Sequence, residues 1–252
     1  MKLFKFFGII ALSFFMFSSF AGTIDPNTPD EKYVEFGKKF PYVGMVCGKY
    51  KDGTSFCASG VAIKPKVILT AAHVVKNCDS CYVTINDKKI HAPKVIYHND
   101  FQDHVFGHFD IAVCLLESEI GLDFYPEIYT DKDEVGKLCT LSGFGITGNF
   151  ITGANVSDSK KRAGSNYVDE IDRGLLVCSP SGPGIKTVLE FLIASGDSGG
   201  GLFIGNKLAG IHSCVMTTGK NPDSKYGHQS GHTRISDHID WLHTVLETEN
   251  DK

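Results

Sequence analysis

The chain predicts an all-β fold, and three observations carry that reading. Short apolar and β-branched runs recur at residues 42–47, 60–63, 67–69, 82–85, 111–116, 138–142, 201–204 and 208–212, with Gly, Pro, Asn and Asp between them. Runs of this length separated by turn signals read as strands of a sandwich or barrel. No stretch carries helical periodicity until Ile239, Leu242, Val245 and Leu246, which share one face of a short terminal helix. Ser236 stands where an N-cap for that helix would fall. The composition, 42% hydrophobic and 21% charged, is that of an ordinary globular chain.

The first 21 residues stand apart. Lys2 and Lys5 precede the apolar run 6–17, and small residues Ser19 and Ala21 flank Phe20. That order is a secretory signal peptide with its cut after Ala21. The run is shorter than the roughly 20 apolar residues needed to span a bilayer, so membrane attachment is not expected once the segment is removed. A net charge of −4 without a basic stripe gives no reason to expect nucleic acid as a partner. Lys160-Lys161-Arg162, the tightest basic cluster, reads as a solvated loop. Residues 148–184 are rich in Ser, Gly, Asn, Lys and Asp and read as long surface loops around one or two short strands. Asn155-Val156-Ser157 within them is a glycosylation triplet.

Eight cysteines in an exported chain point to disulfides. Cys114, inside the apolar run 111–116, reads as a buried thiol. Cys78 and Cys81 have C-x-x-C spacing, but no second ligand pair follows at zinc-site spacing, so no metal is expected. His98, His104 and His108, and likewise His228 and His232, read as loop histidines.

Three separated segments carry chemistry. Leu69-Thr70-Ala71-Ala72-His73 ends an apolar strand on a histidine. Phe109-Asp110-Ile111-Ala112-Val113 opens a buried strand with a carboxylate, which is costly to bury without a partner. Ser195-Gly196-Asp197-Ser198-Gly199-Gly200 surrounds a serine with glycines, which let the backbone turn sharply and point its N–H groups outward. Each alone has an ordinary structural reading. Together they supply a nucleophile, a base of near-neutral pKa and a group to orient that base, which is what acyl transfer from an amide needs.

T-A-A-H, D-I-A-V and G-D-S-G-G in this order resemble the trypsin-like serine peptidase family, over nearly the whole chain after residue 21. Phe40-Pro41-Tyr42-Val43, Ser142-Gly143-Phe144-Gly145 and Thr233-Arg234-Ile235-Ser236 leading to Trp241 add weaker likenesses. The resemblance implies two six-stranded antiparallel β-barrels with the active site in the cleft between them, and a C-terminal α-helix. The peptidase domain would span 22–252, with barrel one about 33–133, barrel two about 134–236 and the helix about 237–248. It further implies a secreted endopeptidase in which Ser198 is the nucleophile, His73 the base and Asp110 its orienting partner. The N–H groups of Gly196 and Ser198 would form the oxyanion hole. No cofactor is implied; the partners are protein or peptide substrates and protein inhibitors, and a monomer is expected.

The chain also departs from that family. Trypsin-like zymogens carry a basic residue followed by Ile-Val-Gly-Gly, whose cleavage frees an N-terminus that pairs with the aspartate beside the nucleophile, here Asp197. No such motif stands near residues 29–32, so either the enzyme folds active or another cut is used, after Ala21 or after Lys32. Cys57 matches a family half-cystine whose partner position is Val74; Cys78 is the nearest substitute and Cys81 a rival. Cys139 and Cys178 fall near family cysteine positions without their usual partners. The resemblance implies that Leu192 would stand at the base of the S1 pocket, where it cannot pair a cation, and Val215 where wide pockets have glycine. With Ile193 and the wall residue Ser213, this favours small or medium apolar P1 residues. The alternative is a glutamate-specific enzyme in which His212 receives the substrate carboxylate, with His232 near the back of the pocket. A catalytically silent trypsin-fold binding module is a second alternative. An esterase with a nucleophile elbow is disfavoured because its serine would precede the Asp and His. Ser198→Ala and His73→Ala should each lower turnover by several orders of magnitude in a peptide-hydrolysis assay, because such a triad acts as a unit.

Overall fold

A computed structural model describes residues 22–103, 107, 109–156, 158–182, 186–219 and 221–250. The proposed signal segment, His104, His108 and Ser157 of the glycosylation triplet lie outside the described residues.

The β-branched and apolar runs form strands, as their alternation requires. One seven-stranded sheet has the spatial order Lys88–His91, Cys78–Ile85, Val43–Tyr50, Ser55–Lys64, Val67–Thr70, Ala112–Leu115, Lys94–Tyr97, with every neighbour antiparallel. A second runs Arg162–Tyr167, Leu138–Gly143, Gly201–Ile204, Lys207–Met216, Gln229–Arg234, Leu175–Cys178, Glu170–Asp172, and Glu127–Ile128 joins it parallel to Lys207–Met216. The all-β, largely antiparallel architecture is as the sequence predicts, with seven and eight strands in place of six each. A small third sheet places Thr23–Ile24 between Thr147–Asn149 and Phe191–Leu192, with Gly153–Val156 outermost. The helix Ile239–Asn250 closes the C-terminal end and buries Leu242 and Val245 against the first core.

Four expectations need correction. Residues 148–184 contain strands Gly153–Val156, Arg162–Tyr167, Glu170–Asp172 and Leu175–Cys178, with Thr147–Asn149 overlapping their start, where one or two were expected. Arg162–Tyr167 carries no apolar residue larger than alanine apart from its final tyrosine, so composition hides it. It nonetheless pairs along its whole length with Leu138–Gly143, and Asn166 is accommodated in the core by donating to the Phe191 carbonyl. The basic cluster is not a solvated loop: Arg162 is 1% exposed and bonded to Asp30 and Asp158, and the Lys161 ammonium is pushed down to about 8 by burial. Ser236 does not cap the terminal helix; it sits in the 3₁₀ turn Ile235–Asp237 and donates instead to Glu134. Cys57 is joined to Cys47, its direct cross-strand partner between Val43–Tyr50 and Ser55–Lys64, and to neither Cys78 nor Cys81.

Cys114 is buried as expected, with its sulfur 4.0 Å from that of Cys81. Cys139 and Cys178 face one another across the second core, with 3.8 Å between sulfurs. An unexpected helix, Asp30–Gly37, opens with Asp30 and Glu31, where acidic side chains favour the dipole, and buries Tyr33.

Glu134 ties the connection between the sheets to the last strand. Its fully buried carboxylate accepts from Arg234 Nε (3.0 Å) and Nη2 (2.6 Å) and from Ser236 Oγ (2.7 Å). Removing one partner of such a pair strands the other. Glu134→Ala should therefore cost about 3–5 kcal/mol in urea unfolding, as breaking a buried ion pair does; a loss below about 1 kcal/mol, the range of a solvent-screened surface pair, would contradict the assignment.

Candidate active site

Asp110 accepts three hydrogen bonds at a buried carboxylate. It follows Phe109, whose φ of 66° is left-handed backbone that a bulky residue adopts only when its surroundings hold it there. The Phe109 ring packs 4.5 Å from His98 and 5.5 Å from His238, and His98 stacks in turn on Trp241 of the terminal helix. So anchored, the chain turns the 3%-exposed Asp110 carboxylate inward. Its Oδ1 accepts from the His73 backbone N–H at 2.9 Å. Its Oδ2 accepts from His73 Nδ1 at 2.7 Å and from Ser213 Oγ at 2.6 Å. Thr233 Oγ1 donates to the Asp110 carbonyl at 3.0 Å. Burial works to raise the carboxyl, but the His73 and Ser213 hydrogen bonds and the His73 charge outweigh it and hold the group below its ordinary range. It is therefore ionised near neutral pH.

His73 lies on the short helix Ala72–Val75, immediately after Val67–Thr70. Because Nδ1 donates to Asp110, the other ring nitrogen, Nε2, carries the free lone pair. A cleft of about 250 Å³ opens beside it, lined by Phe101, Gln102, Asp103 and Cys214.

The serine-bearing loop is docked onto the neighbouring strand, Ser55–Lys64. Ser59 N donates to the Ser198 carbonyl (2.9 Å) and Ser59 Oγ to the Gly196 carbonyl (2.9 Å), while Phe144 N donates to Ser59 Oγ (2.9 Å). Gly199, with φ +84°, approaches so closely that a Cβ there would stand 2.1 Å from Thr70 Oγ1 and 2.2 Å from the Ser59 carbonyl. The glycines after Ser198 thus let the loop close onto the residues just before His73. Gly196 has φ +89°. Neither its N–H nor that of Ser198 donates to another group among the described residues. Ser198 Oγ is likewise without a hydrogen bond to the His73 ring among them.

A second buried carboxylate stands beside the serine. Asp197 is fully buried and accepts from Gly145 N at Oδ1 and from Ala194 N and Gly22 N at Oδ2, each at 2.8 Å. Burial raises its carboxyl to about 6 against the pull of those three N–H groups. Gly22 reaches it through a close fit: with φ +35°, a Cβ at residue 22 would lie 2.0 Å from the Phe191 ring.

The residues expected to line a specificity pocket are placed as follows. Leu192 is fully buried on Phe191–Leu192 and pairs with Thr23; Ile193 is buried, and Val215 is half-buried against the second core. Ser213 belongs to the Asp110 network. His212 is wholly enclosed, its Nδ1 2.8 Å from Nδ1 of His232, whose Nε2 lies 2.9 Å from Ser230 Oγ. His232 is therefore a core residue rather than a loop histidine. Sequence reasoning missed Ser59 and gave Thr233 no role at Asp110, because only strand pairing reveals what these hydroxyls face.

The sequence profile of the Trypsin family matches residues 36–242. The chain belongs to that family of serine proteases. It is similar to chymotrypsin of Phaedon cochleariae, 27% identical over 77% of this chain and 74% of that one. It also resembles bovine chymotrypsin-like elastase family member 1, 25% identical over 79% of this chain and 82% of that one. Among solved structures it shares its fold with HL collagenase (TM-score 0.67, 20% identity, 82% of this chain and 94% of the other) and with mouse neuropsin (TM-score 0.66, 19% identity, 82% and 95%).

The buried histidine pair sets an acid limit on stability. Burial holds both rings below the ordinary imidazole value, His232 at about 3, with the charge of His232 adding to the effect at His212. Between an unfolded value of about 6.5 and the lower folded ones, the unfolded chain binds protons that the folded chain does not, so stability falls as pH falls through that window. The urea midpoint of Ser198→Ala protein should drop between about pH 7 and pH 4, and drop less when His232→Gln is added; equal slopes would remove the pair as the cause.

Proposed function

We propose that the protein is a secreted, monomeric serine endopeptidase that cleaves peptide bonds through an acyl-enzyme, over a domain spanning 22–252. The observation that carries this reading is the Asp110–His73 bond at 2.7 Å, with the Ser198 loop hydrogen-bonded to Ser59 on the strand beside the one that leads to His73. Ser198 Oγ attacks the carbonyl carbon of the scissile bond as its proton passes to His73 Nε2. Asp110 keeps the imidazole in the required tautomer and stabilises the imidazolium. The Gly196 and Ser198 N–H groups receive the oxyanion; such preorganised donors act where charge develops in the transition state. Collapse of the tetrahedral intermediate breaks the C–N bond, and His73 gives its proton to the leaving amine. Water, deprotonated by the same nitrogen, then attacks the ester and releases the acid and free Ser198. A binding-module role finds less support, since His73, Asp110, Ser198 and Gly196 are all retained.

For P1 we propose small or medium apolar side chains. Leu192, Ile193 and Val215 supply no cation or acid, and enclosure of His212 beside His232 argues against its meeting a glutamate carboxylate.

For activation we propose that the cut after Ala21 suffices. It leaves the α-amino group of Gly22 at the site now 2.8 Å from Asp197, as the cation that this buried carboxylate otherwise lacks. Intact mass and N-terminal sequencing should find Gly22 first in active protein.

A diverse peptide library should be cut by protein expressed from residue 22, after small apolar residues, with every cut absent in Ser198→Ala. Cuts after Glu would transfer specificity to His212, and no cuts by protein beginning at Gly22 would support the binding module.

A further inference from the structure

The helix Asp30–Gly37 is fastened by two neighbouring basic side chains. Arg162 Nε and Nη2 donate to Asp30 Oδ1 (2.5 Å) and Oδ2 (2.6 Å), while Nη1 and Nη2 donate to Asp158 Oδ1 (2.9 Å) and Oδ2 (2.6 Å). One planar guanidinium thus holds two carboxylates bidentately, a geometry that lysine cannot reproduce. Lys161 holds the chain just past the helix: its buried ammonium donates to the carbonyls of Phe40 (2.6 Å) and Val43 (3.1 Å). Gly37 lies so close that a Cβ there would stand 2.9 Å from the Lys161 carbonyl. The Arg162–Asp30 and Lys161 contacts pin the N-terminal segment to the start of the strand Arg162–Tyr167.

That strand leads to the serine loop. Arg162 pairs with Gly143, and a Cβ at Gly143 would stand 2.4 Å from Asp197 Oδ1. Upstream of Asp30, the turn after Thr23–Ile24 is closed by the Asp25 carboxylate, which accepts from Asn27 N and Thr28 Oγ1. So few residues separate Gly22 from Asp30 that the place of one limits the reach of the other.

We propose that Arg162 is a positioning residue for the peptidase: by fixing Asp30 against the second sheet, it holds the Gly22 amine at Asp197 and so keeps the Gly196–Ser198 loop in its competent shape. The proposal rests on the activation reading above. Loss of the Arg162–Asp30 fork lets the segment 22–29 leave, and Asp197 then remains buried without a cation. The loop becomes competent in only a fraction of molecules, while those that are competent turn over as before.

The test uses mature protein whose N-terminus has been verified as Gly22. Asp30→Asn removes one carboxylate without opening a cavity and leaves Arg162 paired with Asp158. Arg162→Lys keeps the charge without the fork. Two quantities are read: the rate at which cyanate carbamylates the Gly22 α-amine, followed by mass spectrometry, and the burst amplitude with an active-site titrant against turnover per titrated site. In Asp30→Asn, carbamylation should quicken by about tenfold or more and the burst amplitude fall, with turnover per titrated site unchanged. Arg162→Lys should lie between Asp30→Asn and the parent. An amine equally protected in Asp30→Asn, or a loss of turnover per site with the burst intact, overturns the role of Arg162 alone. A parent protein whose Gly22 amine reacts as fast as that of a free peptide overturns the activation reading, and the Arg162 proposal with it.

Discussion

Burying a carboxylate is among the most expensive things a fold can do, and the arrangement around Asp110 follows from that cost. Three donors offset it, the His73 N–H, the His73 ring and the Ser213 hydroxyl, while the Thr233 hydroxyl holds the carbonyl of the same residue. They arrive from the short helix Ala72–Val75 and from strands Lys207–Met216 and Gln229–Arg234, so the two sheets meet where the carboxylate needs them. Hydrogen bonds to a charged group are worth about 1.5–3 kcal/mol each. That scale also allows the unfavourable φ of Phe109 to persist, because strain of order 1–3 kcal/mol is tolerated where the surroundings over-determine it.

Asp197 poses the same problem with a different answer. Its three donors are backbone N–H groups, which lower the cost without supplying a charge, and the carboxyl accordingly sits at about 6. The Arg162 charge lies near enough to favour the ionised form, though it ranks below burial and the N–H groups. One basic side chain thereby connects the helix Asp30–Gly37, the strand behind Asp197 and the loop that carries Ser198.

What was legible in the sequence divides along physical lines. Val67–Thr70 and Ala112–Leu115 announce themselves because β-branched and apolar residues buried on both faces leave no alternative reading. The Asp110–His73 contact could be anticipated because a carboxylate opening a buried strand needs a partner, and the close approach of Gly199 to Thr70 because only glycine fits there. Arg162–Tyr167 could not be read, since its strand character comes from its partners and not from its own side chains. Lys161 and Arg162 misled for a related reason: a charge run looks solvated until Asp30 and Asp158, distant or unremarkable in sequence, are seen to neutralise it. The Cys47–Cys57 bond follows from strand register, which resemblance does not supply. His212 and His232 show the same limit, because neither residue's neighbours in sequence reveal the ring that it faces.

The contacts that complete the site are separated by great lengths of chain. Asp110 waits for Ser213, 103 residues later, and for Thr233, 123 residues later; Arg162 meets Asp30 across 132 residues, and Asp197 meets Gly22 across 175. Non-local pairings of this kind form slowly, since loop closure must precede any reward. During synthesis the chain therefore carries His73 and Asp110 long before the strands that bring Ser213 and Thr233 to them, and Ser198 before the last strand has emerged. A partly made molecule therefore holds His73 and Asp110 without the hydroxyls that complete their network, which arrive only with the last third of the chain.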